Sequence, residues 1–199
     1  EHRNFKVISQ ENQGVSAARN NGIRNAKGKY FLYLDSDDTL SPETVKNVTD
    51  FFEEHYDEVD VVTYPLIYRR EDGESTHWRY EYMKSSGVYD LEQYPYISQS
   101  TMNVCVKNQR ENSILFDTQK RLYEDQLYNL AQTARLKKIG YCTNAAYFYT
   151  QNASGLSKLS HPYYEGNMLL DMFKATLQSQ NNSKYSQAQV LYNLDWRLR

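Results

Sequence analysis

Tyr30-Phe31-Leu32-Tyr33-Leu34 runs directly into Asp35-Ser36-Asp37-Asp38. An unbroken apolar and aromatic run of this length predicts a strand buried on both faces, because it is too short for a free-standing helix. It then stops on three carboxylates within four positions. Carboxylates are costly to bury without a cation or a donor. The acids are therefore expected together at the carboxyl end of a central strand, in the crevice where open α/β sheets bind ligands. Hard oxygen donors at this spacing suit Mg²⁺ or Mn²⁺, ions that commonly hold substrate phosphates. Taken alone, the Asp-x-Asp pattern fits an exposed acidic turn equally well.

Upstream, Glu11-Asn12-Gln13-Gly14 reads as a polar turn before a short helix, with Val15, Ala18, Gly22, Ile23 and Ala26 at helical spacing and Gly28 just past its end. Small residues on that face would let the helix lie close to a sheet. Its polar side carries Arg19, Asn20 and Asn21, placed to face the same crevice as Asp35. Earlier still, Phe5 to Ser9 predicts a strand already under way. Together with the uncapped finish at Leu194 to Arg199, this predicts an excised piece of a longer protein.

Downstream, Ser41-Pro42-Glu43 supplies an N-cap, a first-turn proline and a first-turn acid, with Val45, Val48 and Phe52 as the buried stripe of the helix that follows. Asp60 to Tyr64 reads as the next strand. Strands alternating with helices in this way predict an α/β fold with a mostly parallel sheet flanked by helices.

Past Tyr64, Asp72-Gly73 marks a hairpin, and Trp78, Tyr80 and Tyr82 alternate as on one strand face. A short helix is expected near Leu91 and a strand over Met102 to Val106. Leu122 to Lys138 is the most regular helix, with Leu127, Leu130, Ala131 and Ala134 on one face and Gly140 beyond its end. Its first turn carries Glu124 and Asp125. Acids there complement the helix dipole, and a carboxylate facing a cleft can also accept a proton. A strand is expected over Tyr141 to Gln151, then a turn at Asn152 to Gly155. Two more helices follow Pro162, the first carrying Leu169, Met172, Phe173 and Leu177, with a break at Gln178 to Ser183. These signals divide the chain into a domain over 1–160 and a helical C-terminal extension over 161–199.

The chain has 199 residues, 23 basic and 25 acidic, for a formal charge of -2, a balance that argues against a dedicated nucleic-acid binder. Cys105 and Cys142, the only cysteines, sit in no metal-ligand pattern and read as reduced core residues of a cytosolic protein. No apolar stretch approaches the ~18 residues of a membrane span, and no signal-peptide pattern opens the sequence. The expected protein is soluble and cytoplasmic, at most peripheral to the inner face of a membrane.

Glu11-Asn12-Gln13-Gly14-Val15-Ser16-Ala17-Ala18-Arg19-Asn20-Asn21-Gly22-Ile23, leading into Gly28-Lys29-Tyr30 and on to Asp35-Ser36-Asp37-Asp38, resembles the middle of a family 2 glycosyltransferase domain of the GT-A fold. Glu124-Asp125 is similar to that family's second acidic motif. Tyr147-Phe148-Tyr149-Thr150-Gln151-Asn152-Ala153-Ser154 is similar to the strand and turn that follow in bacterial polysaccharide and teichoic-acid enzymes. The resemblance covers roughly residues 5 to 160.

It implies an inverting transfer from a nucleotide-diphosphate sugar to a saccharide or polyol-phosphate acceptor, assisted by Mn²⁺ or Mg²⁺. Position by position, it implies that Asp35 and Asp37 bind donor and that Asp37 or Asp38 is the direct metal ligand. Asp125 is then the general base, Glu124 its neighbour orienting it or touching acceptor, and Arg19 and Asn20 lie near the donor. Two family features are missing: the opening nucleobase-binding strands and the Gln-x-x-Arg-Trp motif of processive synthases. The second absence favours addition of single sugars.

Asp35-Ser36-Asp37-Asp38-Thr39 also fits the Asp-x-Asp-x-Thr opening of haloacid-dehalogenase-like phosphatases, with Asp35 as nucleophile. That family has Gly at the Asp38 position and places the motif on its first strand. An EF-hand loop fails because Leu40 and Lys46 stand where Gly and Glu are required. A non-catalytic, transferase-derived binding domain is the third alternative.

Overall fold

The computed structural model describes residues 6–97, 102–120, 123–150 and 166–198, without the side chains of 166–169 and 192–198. The turn expected at Asn152 to Gly155 lies outside the described residues. In chain order the elements are α1 (Val15–Asn25), β1 (Tyr30–Leu32), β2 (Thr39–Leu40), α2 (Thr44–Glu54), β3 (Val61–Thr63), β4 (Leu66–Arg70), β5 (Gly73–Thr76), α3 (Trp78–Glu81), β6 (Gly87–Asp90), β7 (Val104–Lys107), α4 (Glu124–Thr133), β8 (Lys138–Tyr141), β9 (Tyr147–Thr150), α5 (Gly166–Ser179) and α6 (Lys184–Leu198).

The main sheet has the order β1-β7-β3-β8-β6 and a smaller one the order β2-β9-β4-β5. The α/β class stands, but the strands are mixed in direction. β3 and β8 pair in parallel, and β1 points the same way, as the βαβ pattern requires. β7 inserts between β1 and β3 antiparallel to both, and β6 closes the sheet antiparallel to β8. These reversed strands enter from the opposite end, a long-range choice that local periodicity does not encode.

β1 is an edge strand among the described residues, not a central one. Phe31 and Tyr33 are buried, while Leu34 is half exposed. The run is thus buried mainly on one face. Residues 6–9 form no strand, and Val7 is 83% exposed. An isolated extended segment has no ladder to join and no face on which to bury its apolar side chains.

Two helices turn differently from expectation. α1 buries Ser16, Asn20 and Ile23, leaving Val15, Ala18, Gly22 and Ala26 exposed. Asn20 Nδ2 donates to Phe116 O and Asn20 Oδ1 accepts the Phe116 N–H, and this pair of bonds fixes that rotation, outweighing the exposure of small apolar groups. The helix ends on Ala26, so Gly28 is not its C′ residue. α2 begins at Thr44, later than the Ser41-Pro42 signal, with the Ser41 hydroxyl 2.6 Å from that of Thr44. It buries Thr44, Val48, Phe51 and Phe52 but not Val45.

The aromatic triplet after the hairpin is a helical turn, α3, rather than a strand. His77 precedes it and accepts the Arg79 N–H, so Tyr80 stacks on Tyr141 in the core while Tyr82 points to solvent. Leu91 is buried in a turn, not a helix. α4 is shorter than the Leu122–Lys138 pattern, and Lys138 already belongs to β8. The stretch 138–150 supplies one strand to each sheet. α5 and α6 flank the break at Gln180 to Ser183, where Asn181 and Asn182 adopt positive φ. No helix among the described residues is long and apolar enough to cross a membrane.

Candidate active site

Glycine at 14 takes a φ of 86°, which an L side chain rarely adopts, and so turns the chain into α1. One and a half turns on, Arg19 reaches the end of the segment that follows β1. Its Nη2 donates to Asp35 Oδ1 at 2.9 Å, while its Nη1 donates to Glu124 Oε1 at 3.1 Å. A largely buried guanidinium thus joins two acidic motifs that lie far apart in the chain. Beneath it the Phe116 ring lies 5.4 Å from the guanidinium carbon. Phe116 stacks on Tyr128, and Tyr33 meets both rings edge-on. The Tyr33 and Tyr128 hydroxyls are 2.5 Å apart. This aromatic floor excludes water on one side, which strengthens the charge pairing above it.

The three acids after β1 have separate environments. Asp38 N–H donates to Asp35 O at 3.1 Å, closing a turn. Asp37 is exposed and receives no hydrogen bond among the described residues. Asp38 is buried: Oδ2 accepts from the Tyr147 hydroxyl at 2.7 Å and Oδ1 from the Thr150 N–H at 2.8 Å. Burial pushes the Asp38 carboxyl up, against those two donors, which favour its charged form. The acids therefore gather at the strand end as expected, but only Asp35 and Asp37 are turned outward. The sequence treats Tyr147 and Thr150 only as strand residues; both are partners of the acidic turn, and no local pattern announces that.

Asp125 and Glu124 open α4 behind Tyr123, whose φ of 63° is left-handed and uncommon for a large side chain. Asp125 is part-buried, and its Oδ1 accepts from the Gln126 N–H at 2.7 Å. Burial, reinforced by the charge of Glu124, raises its carboxyl to about 7; the Gln126 N–H and Arg19 act in the other direction. A carboxylate poised near neutrality is suited to accepting a proton.

Asn20 is buried with both amide groups committed to the Phe116 backbone, and its visible action is to fasten α1 to the segment carrying the aromatic floor. Asn21 donates to Gln10 on the opposite side of α1. There a polar concavity of about 360 Å³ is lined by Gln10, Gln13, Asn21 and Arg24 among others, and none of the acidic residues contributes to it.

The family profile Glycosyl transferase family 2 matches residues 1–116. The minor teichoic acid biosynthesis protein GgaB of Bacillus subtilis (strain 168) is 30% identical over 208 residues, covering 98% of this chain and 23% of that protein. GgaA of the same organism is 31% identical over 154 residues, covering 73% of this chain and 33% of that protein. The poly(ribitol-phosphate) beta-N-acetylglucosaminyltransferase TarS of Staphylococcus aureus (strain Mu50) is 25% identical over 158 residues, covering 76% of this chain and 26% of that protein. The chain thus spans a third or less of each of these relatives. A crystal structure of S. aureus TarS 1–349 in complex with UDP-GlcNAc shares the fold, with a TM-score of 0.65 at 20% identity over 89% of this chain and 50% of that one.

Proposed function

The chain belongs to glycosyltransferase family 2, and on that premise we propose that it transfers a sugar, with inversion, from a nucleotide-diphosphate sugar to an acceptor hydroxyl of a bacterial cell-surface polymer. The teichoic-acid proteins among its relatives support a saccharide or polyol-phosphate acceptor. The observation that carries the assignment is the Arg19 bridge, which holds the donor-side acid Asp35 and the acceptor-side acid Glu124 on one guanidinium.

In this reading Asp125 takes the proton of the acceptor hydroxyl, a poor nucleophile until a placed base acts on it. Glu124, fixed by Arg19, raises the basicity of Asp125 and marks the acceptor side. Asp35 and Asp37 face the donor diphosphate. Arg19 offsets the negative charge that these acids bring to the site, and Asn20 serves the donor side by keeping α1 and the Phe116 segment in register.

No three acidic, histidine or cysteine groups among the described residues form a closed metal cage. A site shared between protein and substrate phosphates needs only one or two carboxylates. Asp37, exposed and unpaired among the described residues, fits that role, with Asp35 beside it. Asp38, named with Asp37 as a ligand on family resemblance, already serves two internal donors, which favours Asp37 as the direct ligand. When bound, Mn²⁺ or Mg²⁺ supplies positive charge to the leaving diphosphate. Donor and polymer precursor would be met at the cytoplasmic face of the membrane.

The test is transfer of labelled sugar from a panel of UDP-sugars into poly(ribitol phosphate) or a saccharide acceptor, with and without Mn²⁺. Metal-dependent incorporation is expected. Phosphate release from simple phosphomonoesters, with no nucleotide release from any donor, would overturn the reading in favour of the phosphatase alternative.

A further inference from the structure

Tyr147 is 2% exposed, and its phenol is engaged in two directions at once. The oxygen accepts the Asp35 N–H at 3.2 Å, and the hydroxyl proton is given to Asp38 Oδ2 at 2.7 Å. One hydroxyl group therefore closes the Asp35–Asp38 turn from beneath. The backbone that carries it is held on both sides. Tyr147 lies opposite Leu40 in β2 and opposite Leu66 in β4, and its own N–H donates to Pro65 O at 2.9 Å. Three residues on, Thr150 gives its N–H to the other oxygen of Asp38. β9 thus presents two fixed donors to one carboxylate.

From this geometry we propose that Tyr147 is a positioning residue of the donor site, locking Asp38 inward as a brace so that Asp37 is the acid left to meet the donor and its cation. The inference rests on the glycosyltransferase reading and adds a residue and a division of labour to it. A hydroxyl that holds an acid turn from outside the ligand set acts as metal-site supporting groups generally do: it fixes orientation without touching the ion. Asp35 is then restrained twice, through its main chain by Tyr147 and through its side chain by Arg19.

Tyr147→Phe removes a single oxygen and keeps the ring in place. The informative measurement is Mn²⁺ affinity in the presence of UDP, with thermal stability recorded alongside. Loss of the hydroxyl should weaken Mn²⁺ binding roughly 10–100-fold, with the donor KM rising more than kcat falls. Tyr64→Phe is the control for deleting a buried phenol oxygen from the same core, because the Tyr64 hydroxyl has no hydrogen-bond partner among the described residues. It should leave Mn²⁺ binding unchanged. Asp38→Asn should lose affinity by about the same factor as Tyr147→Phe, the double variant no more, and Asp37→Asn considerably more. A folded Tyr147→Phe protein that binds Mn²⁺ and UDP like the wild type overturns the inference, as do additive losses in the double variant. Should Tyr147→Phe not fold, Asp38→Asn decides: a loss equal to that of Asp37→Asn makes Asp38 a ligand and the inference wrong. A wild-type protein that binds neither UDP nor Mn²⁺ would instead count against the proposed donor-binding activity of this chain, on which the inference rests.

Discussion

Asp125 is placed where folding and chemistry make opposite demands. Burial and Glu124 disfavour its charge, so its carboxyl is raised to about 7, whereas an unfolded aspartate titrates near ~3.9. A raised folded-state value contributes stability that is fully present below the unfolded value and is lost as pH rises through the folded one. The contribution of Asp125 to stability should therefore be lost between roughly pH 4 and 7, so the melting temperature of Asp125→Asn relative to wild type should rise across that range. If Asp125 is the proposed base, the same substitution removes the proton acceptor and should lower turnover roughly 10²–10⁴-fold. A melting temperature that gains on wild type with rising pH, together with lost turnover, is the expected combination, read from melting curves and initial rates on one sample. In the wild type, turnover should rise with pH along an acid limb near neutrality. If Asp125 only complements the helix dipole, turnover is unchanged and the substitution costs stability instead. Asp37→Ala should have the converse signature, losing Mn²⁺-dependent UDP binding with little change in melting temperature, because this side chain is exposed.

At the scale of elements, α2 lies very close to the main sheet. Gly140 in β8 marks the point of contact. A Cβ added there would stand 2.5 Å from Phe51 Cε1 and 2.9 Å from Val62 Cγ2. Neither the Phe51 ring nor a β-branched valine in a central strand can withdraw cheaply. Gly140→Ala should therefore cost about 1–3 kcal/mol by overpacking, seen as a lower denaturation midpoint with an unchanged slope. Sequence pattern places Gly140 as a helix terminator; the structure makes it the seat of a neighbouring ring. α4 illustrates the related point that a helix can be buried on more than one side. Its core contacts include Gln126, Asn129, Gln132 and Thr133 as well as Leu130, because another layer covers the face that amphipathic periodicity would leave in water.

Across the whole molecule that layer is the α5–α6 hairpin. Gln180, at the break between its helices, donates to Leu130 O at 2.9 Å and to Thr133 Oγ1 at 3.1 Å, tying the hairpin to the helix whose first turn carries Glu124 and Asp125. Lys184 N–H and the Gln189 amide add bonds to Glu92 and Pro95. Among the described residues, the α5–α6 hairpin thus buttresses the helix that carries Glu124 and Asp125. Gln180→Ala should cost about 1–2 kcal/mol, a fall of roughly 2–8 °C in melting temperature for a chain of this size, with turnover at 25 °C nearly intact. Loss of turnover without loss of stability would place Gln180 in the chemistry. At the other end of the main sheet, ahead of β3, buried Asp60 is held by Arg135 at 2.6 Å and Lys107 at 3.5 Å. The sheet thus carries its structural ion pairs at one end and its acidic site at the other.

What the sequence determined by itself is local: the α/β class, the acids at the end of an apolar strand, the Asp-Gly hairpin, the break before α6, and the two motifs that mark the family. Each is set by neighbours within a few positions, through periodicity, turn chemistry or the cost of burying a carboxylate. The tertiary structure alone decided the rest. It determined that β7 runs backwards between β1 and β3, that α1 turns Asn20 inward toward Phe116, and that Arg19 joins Asp35 to Glu124. It also divided the three acids, sending Asp38 in toward Tyr147 and leaving Asp37 outside. Those outcomes depend on hydrogen bonds and ion pairs that reach up to about a hundred positions along the chain. A buried polar group must find its partner wherever the fold brings one, and no local pattern states where that is.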